Sequence, residues 1–468
     1  MNGYLCTKIV HCQMSIVHCP LSIDNCPSAL YPTFRACTGV TTDSRRCPAG
    51  SMFFALRGEH FDGNAFAARA LSAGCAYAVV DRPEVIPAGD GRYLPVDDVL
   101  HALQGLARLH RRTLGLPVLA ITGTNGKTTT KELVAAVLAR RYRVLHTEGN
   151  LNNAIGVPLT LLRLRPEHEL AVIEMGASHP GDIRELTDIA EPDMGLITNV
   201  GRAHLQGFGS IEGVARTKGE LFDFLRRHGR GPAFVCLDDE RVRALASGLR
   251  QVGYGREQAP ADGRSAESGH ALTGRVLSCS PFLTFCWQNP EEAGATYEVR
   301  THLIGDYNLP NVLAAIAVGI RMGVPPTAIN AAIEGYIPGN NRSQLLQTAR
   351  NTLIIDAYNA NPTSMQASLG NFLRMDAPAK TVILGDMREL GEVTAREHQR
   401  VVDRLEQADP GPDVFLVGPD FSATRHHGLA FPDAPALCAY LRAHPLRGRT
   451  ILLKGSNSLR LNTVVDYL

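Results

Sequence analysis

The chain has 468 residues, 44% of them apolar and 20% charged, with a formal net charge of +1. At about 150 residues per domain that leaves room for roughly three domains with ample core. The near-neutral charge supplies neither a basic field for nucleic acid nor an acidic tail for a charged partner, and no apolar run reaches the ~18 residues of a membrane span. An odd count of 11 cysteines in a long chain fits a reducing, cytoplasmic setting and not a disulfide framework.

In chain order, "IVHCQMS", "IVHCPLS" and "IDNCPSA" form a seven-residue repeat. His11, Cys12, His18 and Cys19 suggest a metal, but not at a usual zinc-ligand spacing. The stretch also lacks the basic start, long apolar core and cleavage pattern of a signal peptide. Residues 1–28 are expected to be a disordered or spurious tail. Residues 29–113 read as a mixed α/β domain, with "SMFFAL", "YAVV" and "RYLPV" as strands and "FAARALSAGC" and "LHALQGLARLHRR" as helices. "LGLP" at 114–117 reads as a hinge. From 114 to 338, "VLAIT", "RVLHT", "LAVIEMG", "MGLITNV" and "AFVCL" alternate with helical stretches, which implies a parallel sheet with right-handed crossovers. Residues 255–300, rich in Gly, Ser and charge, read as a peripheral β excursion. "NVLAAIAVGIRMG" reads as a helix ending at Gly323, and "YIPGNNRSQ" as a second linker. Residues 339–468 repeat the strand–helix alternation as a smaller, Rossmann-like domain. Its strand ends carry Asp356, Gly385, Asp386, Gly418 and Lys454, where open α/β sheets place ligands.

The stretch "LAITGTNGKTTTKELVAAVL" at 119–138 carries the chemistry. A strand runs into a Gly-rich turn, Gly123, Thr124, Asn125, Gly126, and then a helix opening with Lys127, Thr128 and Thr129. The spelling is G-x-x-G-K-T, shorter than the usual P-loop. Backbone N–H groups and the helix dipole still favour an anion there. Lys127 is suited to reach the β- and γ-phosphates of ATP, and Thr128 to offer its hydroxyl to Mg²⁺. Glu174 and His204 close neighbouring strands and suit the same cation, although His204 alone also reads as a loop histidine. Lys218 alone reads as a solvated helix lysine.

The set "TGTNGKTTT", "EGNLNNAIGVPLTLL", "EMGASHPGDI", "TNVGRAHLQGFGSIEGVARTKGEL", "DAYNANPTS", "LGDMRELG" with His398, and "LKGSNS", in this order, resembles the Mur ligases over about residues 29–468. The short loop is that family's own spelling. The resemblance implies three α/β domains: one for a UDP-linked substrate, a central P-loop ATPase domain, and a C-terminal Rossmann-like domain. It implies that Ser44 and Arg45 contact the UDP-sugar, and that Asn152 and Asn153 lie near the substrate or its pyrophosphate. Thr128, Glu174 and His204 match metal positions, and Lys218 matches a lysine the family carbamylates. Asn308, Asn311, Arg342 and Asp356 match nucleotide-side positions. Tyr307 stands where a His is common, and Asn341 replaces a Gly before Arg342. Asn359, Asn361 and Lys454 fall near the incoming amine or the phosphates.

The branch resembled joins D-alanyl-D-alanine to UDP-N-acetylmuramoyl-tripeptide through an acyl phosphate, using ATP and Mg²⁺, as a monomer. A relative adding a diamino acid is the nearest alternative. Its branch carries a D-N-P-R element that is absent here. An ATPase switch is the alternative of another class.

Overall fold

A computed structural model describes residues 27–468 except 230, 258–270, 290, 291, 293, 294, 340, 341 and 410. His11, Cys12, His18, Cys19 and Asn341 lie outside the described residues. The chain packs as two compact units, Met1–Leu109 and His110–Leu468.

In the first unit, Val40–Thr41, Met52–Phe54, Tyr77–Val80 and Tyr93–Pro95 pair in that order as a parallel sheet. Phe53, Ala55, Ala70, Ala78 and Val80 form its core. A helix, Pro27–Ala36, opens the described chain two residues inside the stretch read as a tail.

The helix Val99–Leu114 runs on past the division between the units. Its last turns pack with the second unit, because His110 Nε2 meets the carbonyl of Leu164 at 3.0 Å and Arg111 donates to the carbonyls of Ala190 and Glu191. "LGLP" therefore follows the change of packing and does not mark it.

The second unit holds two sheets. The central one has nine strands in the order Thr296–Ile304, Phe282–Gln288, Leu272–Cys279, Gln251–Arg256, Ala233–Cys236, Met194–Ile197, Val118–Thr122, Leu170–Glu174, Val144–His146. All pairings are parallel from Val144–His146 to Leu272–Cys279, and the last two are antiparallel. The residues read as a peripheral excursion thus extend the main sheet. Leu272, Leu283, Phe285, Trp287 and Val299 bury in the same core as the helices Lys127–Leu138 and Leu309–Arg321, which binds the extension to the domain. Val118–Thr122 and Leu170–Glu174 are buried at every position, as strands covered on both faces must be.

The C-terminal sheet runs Gln344–Gln347, Thr352–Asp356, Thr450–Lys454, Lys380–Gly385, Asp413–Val417, Leu429–Phe431, antiparallel only at its first pairing. Helices cover both faces with separate apolar cores. The first strand begins at the end of the stretch read as a linker. It is short, only partly buried and at an edge. The three α/β domains expected are therefore present.

Candidate active site

The phosphate loop is built by steric necessity. Gly126 caps the helix Lys127–Leu138 at φ 78°, and a Cβ there would stand 2.4 Å from Asn311 Oδ1. Only glycine fits both the left-handed backbone and the space. The Asn125 N–H donates to Asn199 Oδ1 (3.0 Å), and its carbonyl accepts from Thr198 Oγ1 (2.7 Å), so the loop is pinned to the end of the neighbouring strand. The Lys127 ammonium donates to the carbonyls of Gly123 (2.7 Å) and Thr124 (3.1 Å). Burial lowers its pKa, with Arg342 acting the same way and Glu174 opposing. The helix offers its first N–H groups beside this ammonium, an arrangement that suits a phosphate.

Glu174 ends the strand beside the loop strand, in register with Ile121, and is 1% exposed. Its Oε1 accepts from Thr128 Oγ1 (3.2 Å) and Asn152 Nδ2 (2.8 Å). Its Oε2 is buried and has no partner among the described residues. A carboxylate oxygen left without a donor in a buried site costs free energy, and a hard divalent cation beside the Thr128 hydroxyl would satisfy it. The Glu174 N–H donates to Thr147 Oγ1 (2.9 Å), and the Thr147 carbonyl accepts from the fully buried Lys131 Nζ (2.5 Å). Lys131, unremarkable in the sequence, thus ties the loop helix to the strand end that holds Glu174.

His204 lies in the same cavity with φ 50°, and its Nδ1 pairs with Glu389 from a C-terminal loop. Burial lowers the imidazole pKa, while Glu389 opposes. Lys218 is not a solvated helix lysine. It is 2% exposed on the helix Ile211–His228, with its ammonium 5.5 Å from the Phe208 ring centroid. Burial, then the Lys127 charge, pulls its pKa well below the ordinary lysine value. Lys218 does not line the cavity.

The remaining residues read from the sequence divide cleanly. Thr124 through Thr129, Asn152, Asn153, Asn308, Asn311, Arg342, Asp356, Asn359, Asn361 and Lys454 line one cavity of about 750 Å³ between the strand ends of the two sheets. Asn311 Oδ1 accepts from Thr130 Oγ1 (3.1 Å), and Asn311 Nδ2 donates to Asn308 Oδ1 (2.9 Å). Arg342 stacks 3.9 Å from the Tyr358 ring centroid. Asp356 and Lys454 are in register on adjacent strands, with Nζ 2.5 Å from Oδ2. Asn361 caps the helix Pro362–Arg374 through Oδ1 and reaches Asn125 Oδ1 with Nδ2 (2.7 Å). Asn153 Oδ1 accepts from the N–H groups of Ile155 (3.2 Å) and Gly156 (2.8 Å), just before the helix Gly156–Leu161. Ser44 and Arg45 belong to the first unit. There Ser44 Oγ accepts from Arg69 (2.5 Å), and Arg45, 81% exposed at its side chain, pairs with Asp43 (2.9 Å).

Asp386, His398 and Asp420 cluster like metal ligands, but their donors and acceptors are already matched. His398 Nε2 accepts from the Met387 N–H (3.0 Å), Nδ1 faces the Thr394 carbonyl (2.8 Å), and Asp386 accepts from the N–H groups of Asp420 and Phe421. The cluster shapes the "GDMREL" loop that presents Glu389. Sequence reading did not single out Glu389, Asn199 and Thr198, although they lie within the quoted stretches "LGDMRELG" and "TNVGRAHLQGFGSIEGVARTKGEL" just after buried strands.

The chain is similar to known proteins in sequence and fold. Residues 36–111 match the Mur ligase family catalytic domain, 121–319 the Mur ligase middle domain, and 341–457 the Mur ligase glutamate ligase domain. The chain belongs to the Mur ligase family. It is 36% identical to UDP-N-acetylmuramoyl-tripeptide–D-alanyl-D-alanine ligase of Bacillus subtilis over 92% of this chain and 93% of that protein. The same identity and coverage relate it to the Escherichia coli enzyme of that name. Its fold matches a crystal structure of MurF from Acinetobacter baumannii with TM-score 0.80 and 31% identity, covering 94% of this chain and 97% of that one. For MurF of Thermotoga maritima in complex with ADP the values are 0.79, 25%, 93% and 97%.

Proposed function

We propose that this chain is an ATP-dependent amide ligase that joins D-alanyl-D-alanine to UDP-N-acetylmuramoyl-tripeptide, releasing ADP and phosphate, in the cytoplasm, where ATP is supplied. One observation carries the reading. The phosphate loop with Lys127 and the C-terminal residues Asp356, Asn361 and Lys454 line a single cavity, so a nucleotide and an incoming amine meet in one place. The names of the bacterial relatives supply the substrate pair.

The chemical difficulty is that a carboxylate is a poor acyl donor. Transfer of the γ-phosphoryl group of ATP to the tripeptide carboxylate gives an acyl phosphate, which the neutral amine of the dipeptide attacks as phosphate leaves. The chain's part is electrostatic and positional. Lys127 and the helix N–H groups hold the phosphates. Arg342, Asn308 and Asn311 flank the nucleotide, and Asn152 and Asn153 lie on the side of the UDP-linked substrate. In the first unit, Ser44 and Arg45 are the residues suited to a UDP-sugar. Asn359, Asn361 and Lys454 orient the amine. Thr128 and the unpartnered oxygen of Glu174 fit Mg²⁺, with His204 and a carbamylated Lys218 completing its surroundings. When bound, the cation offsets the negative charge of the phosphates. Lys218 suits carbamylation because burial favours its neutral amine: the ammonium gives up one proton, Nζ bonds to the carbon of CO₂ and loses a second, and a cation becomes an anion.

The test is phosphate release with UDP-N-acetylmuramoyl-tripeptide and ATP in three arms: no amine, D-alanyl-D-alanine, and diaminopimelate. Release that depends on the dipeptide supports the reading. Release indifferent to any amine indicates a switch ATPase.

A further inference from the structure

The turn Asp306–Asn308 bonds in two directions. Asn308 faces the phosphate site through Asn311, which accepts from Thr130 on the loop helix. Tyr307, next to it, lines the same cavity, and its hydroxyl turns to the start of the C-terminal domain. Its hydroxyl lies 2.9 Å from Ser343 Oγ. The turn packs against the helix Pro362–Arg374, and Asp306 pairs with Arg374 at its far end (3.0 Å). That helix opens with Asn361, the residue that reaches back to Asn125 in the phosphate loop.

Two backbone features show that this contact is built in. Gly305 has φ 97°, and a Cβ there would stand 2.1 Å from Tyr307 Cε1, so the ring occupies space that only glycine leaves. Ser343 has φ 46°, an unfavourable backbone for a residue with a side chain. It follows Arg342, which lines the cavity, at the junction between the central and C-terminal sheets. The Tyr307 hydroxyl therefore bonds the strained residue at the joint itself.

We propose that Tyr307 is a positioning residue. Its hydroxyl seats the C-terminal domain, through Ser343, in register with the phosphate site that its neighbour Asn308 touches. The inference rests on the ligase reading above. There, a correct seat brings the amine to the activated carboxyl and keeps water out. A loosened seat leaves the activated carboxyl to hydrolysis, so phosphate is released without amide.

The experiment measures phosphate and amide in the same reaction for the full chain and for Tyr307→Phe, which removes one oxygen and keeps the ring. The parent chain should give one phosphate per amide. Tyr307→Phe should release phosphate in excess, with amide formation down at least about fivefold and KM for ATP moved by less than about twofold. Ser343→Ala, which removes the partner of the Tyr307 hydroxyl, should shift the ratio in the same direction and decides the matter if Tyr307→Phe does not fold. A one-to-one ratio in both variants overturns the proposal, whether rates are unchanged or phosphate and amide fall together. If the parent chain itself forms no amide, the ligase reading fails instead.

Discussion

Thr128 Oγ1 and Glu174 Oε1 stand 3.2 Å apart, joining the first turn of the loop helix to the end of the adjacent strand. The other oxygen of Glu174 is buried beside them without a donor. This one contact brings together the residues fitted for phosphate and for a divalent cation. Glu174→Gln should therefore raise the Mg²⁺ concentration for half-maximal turnover by at least about tenfold. The melting temperature should hold, because glutamine keeps an oxygen to accept from Thr128 and Asn152 and removes a buried charge. Unchanged Mg²⁺ dependence would place the cation elsewhere.

Lys127→Ala should abolish ligation while the fold survives. Among the described residues the ammonium bonds to carbonyls of its own loop, so its loss leaves the packing elsewhere in place. Removing a charge that stabilises the transferring phosphoryl group costs about 3–5 kcal/mol, several powers of ten in rate. Turnover near that of the parent at saturating ATP would contradict the assignment.

Gly126→Ala should weaken both stability and nucleotide binding. The new Cβ meets Asn311 Oδ1 on a left-handed backbone, at a cost of about 1–3 kcal/mol. ADP should raise the melting temperature of the parent chain more than that of the variant. Equal shifts would show that the loop relaxes without loss.

Lys218→Ala separates two roles of a buried lysine. If Lys218 merely packs over Phe208, the variant loses stability and nothing restores its turnover. If it carries a carbamate, turnover falls severely and acetate or propionate restores part of it, since a small carboxylate fills the vacated space. Bicarbonate restores nothing, because no amine remains. A variant as active as the parent would end the carbamate reading.

The fold was legible where one physical rule dominated. Buried parallel strands show as continuous apolar runs, so "VLAIT" and "LAVIE" gave the sheet, and Gly126-Lys127 gave the phosphate loop. The antiparallel extension at Leu272–Cys279 and Phe282–Gln288 was misjudged because its strands are buried on one side only and carry polar residues on the other. Long-range partners were not legible at all. Nothing in "TKEL" says that Lys131 is fully buried, nor in "REL" that Glu389 meets His204 from across 185 positions. The resemblance to a family named the roles of residues such as Lys218, whose burial no local pattern announces.

The most direct measurement is the mass of the product. Purified chain incubated with ATP, Mg²⁺, UDP-N-acetylmuramoyl-tripeptide and D-alanyl-D-alanine should convert the nucleotide precursor to a species heavier by the dipeptide less one water, with ADP formed in equal amount. ADP formed with no change in the mass of the precursor, or an added diaminopimelate in place of the dipeptide, would contradict the account.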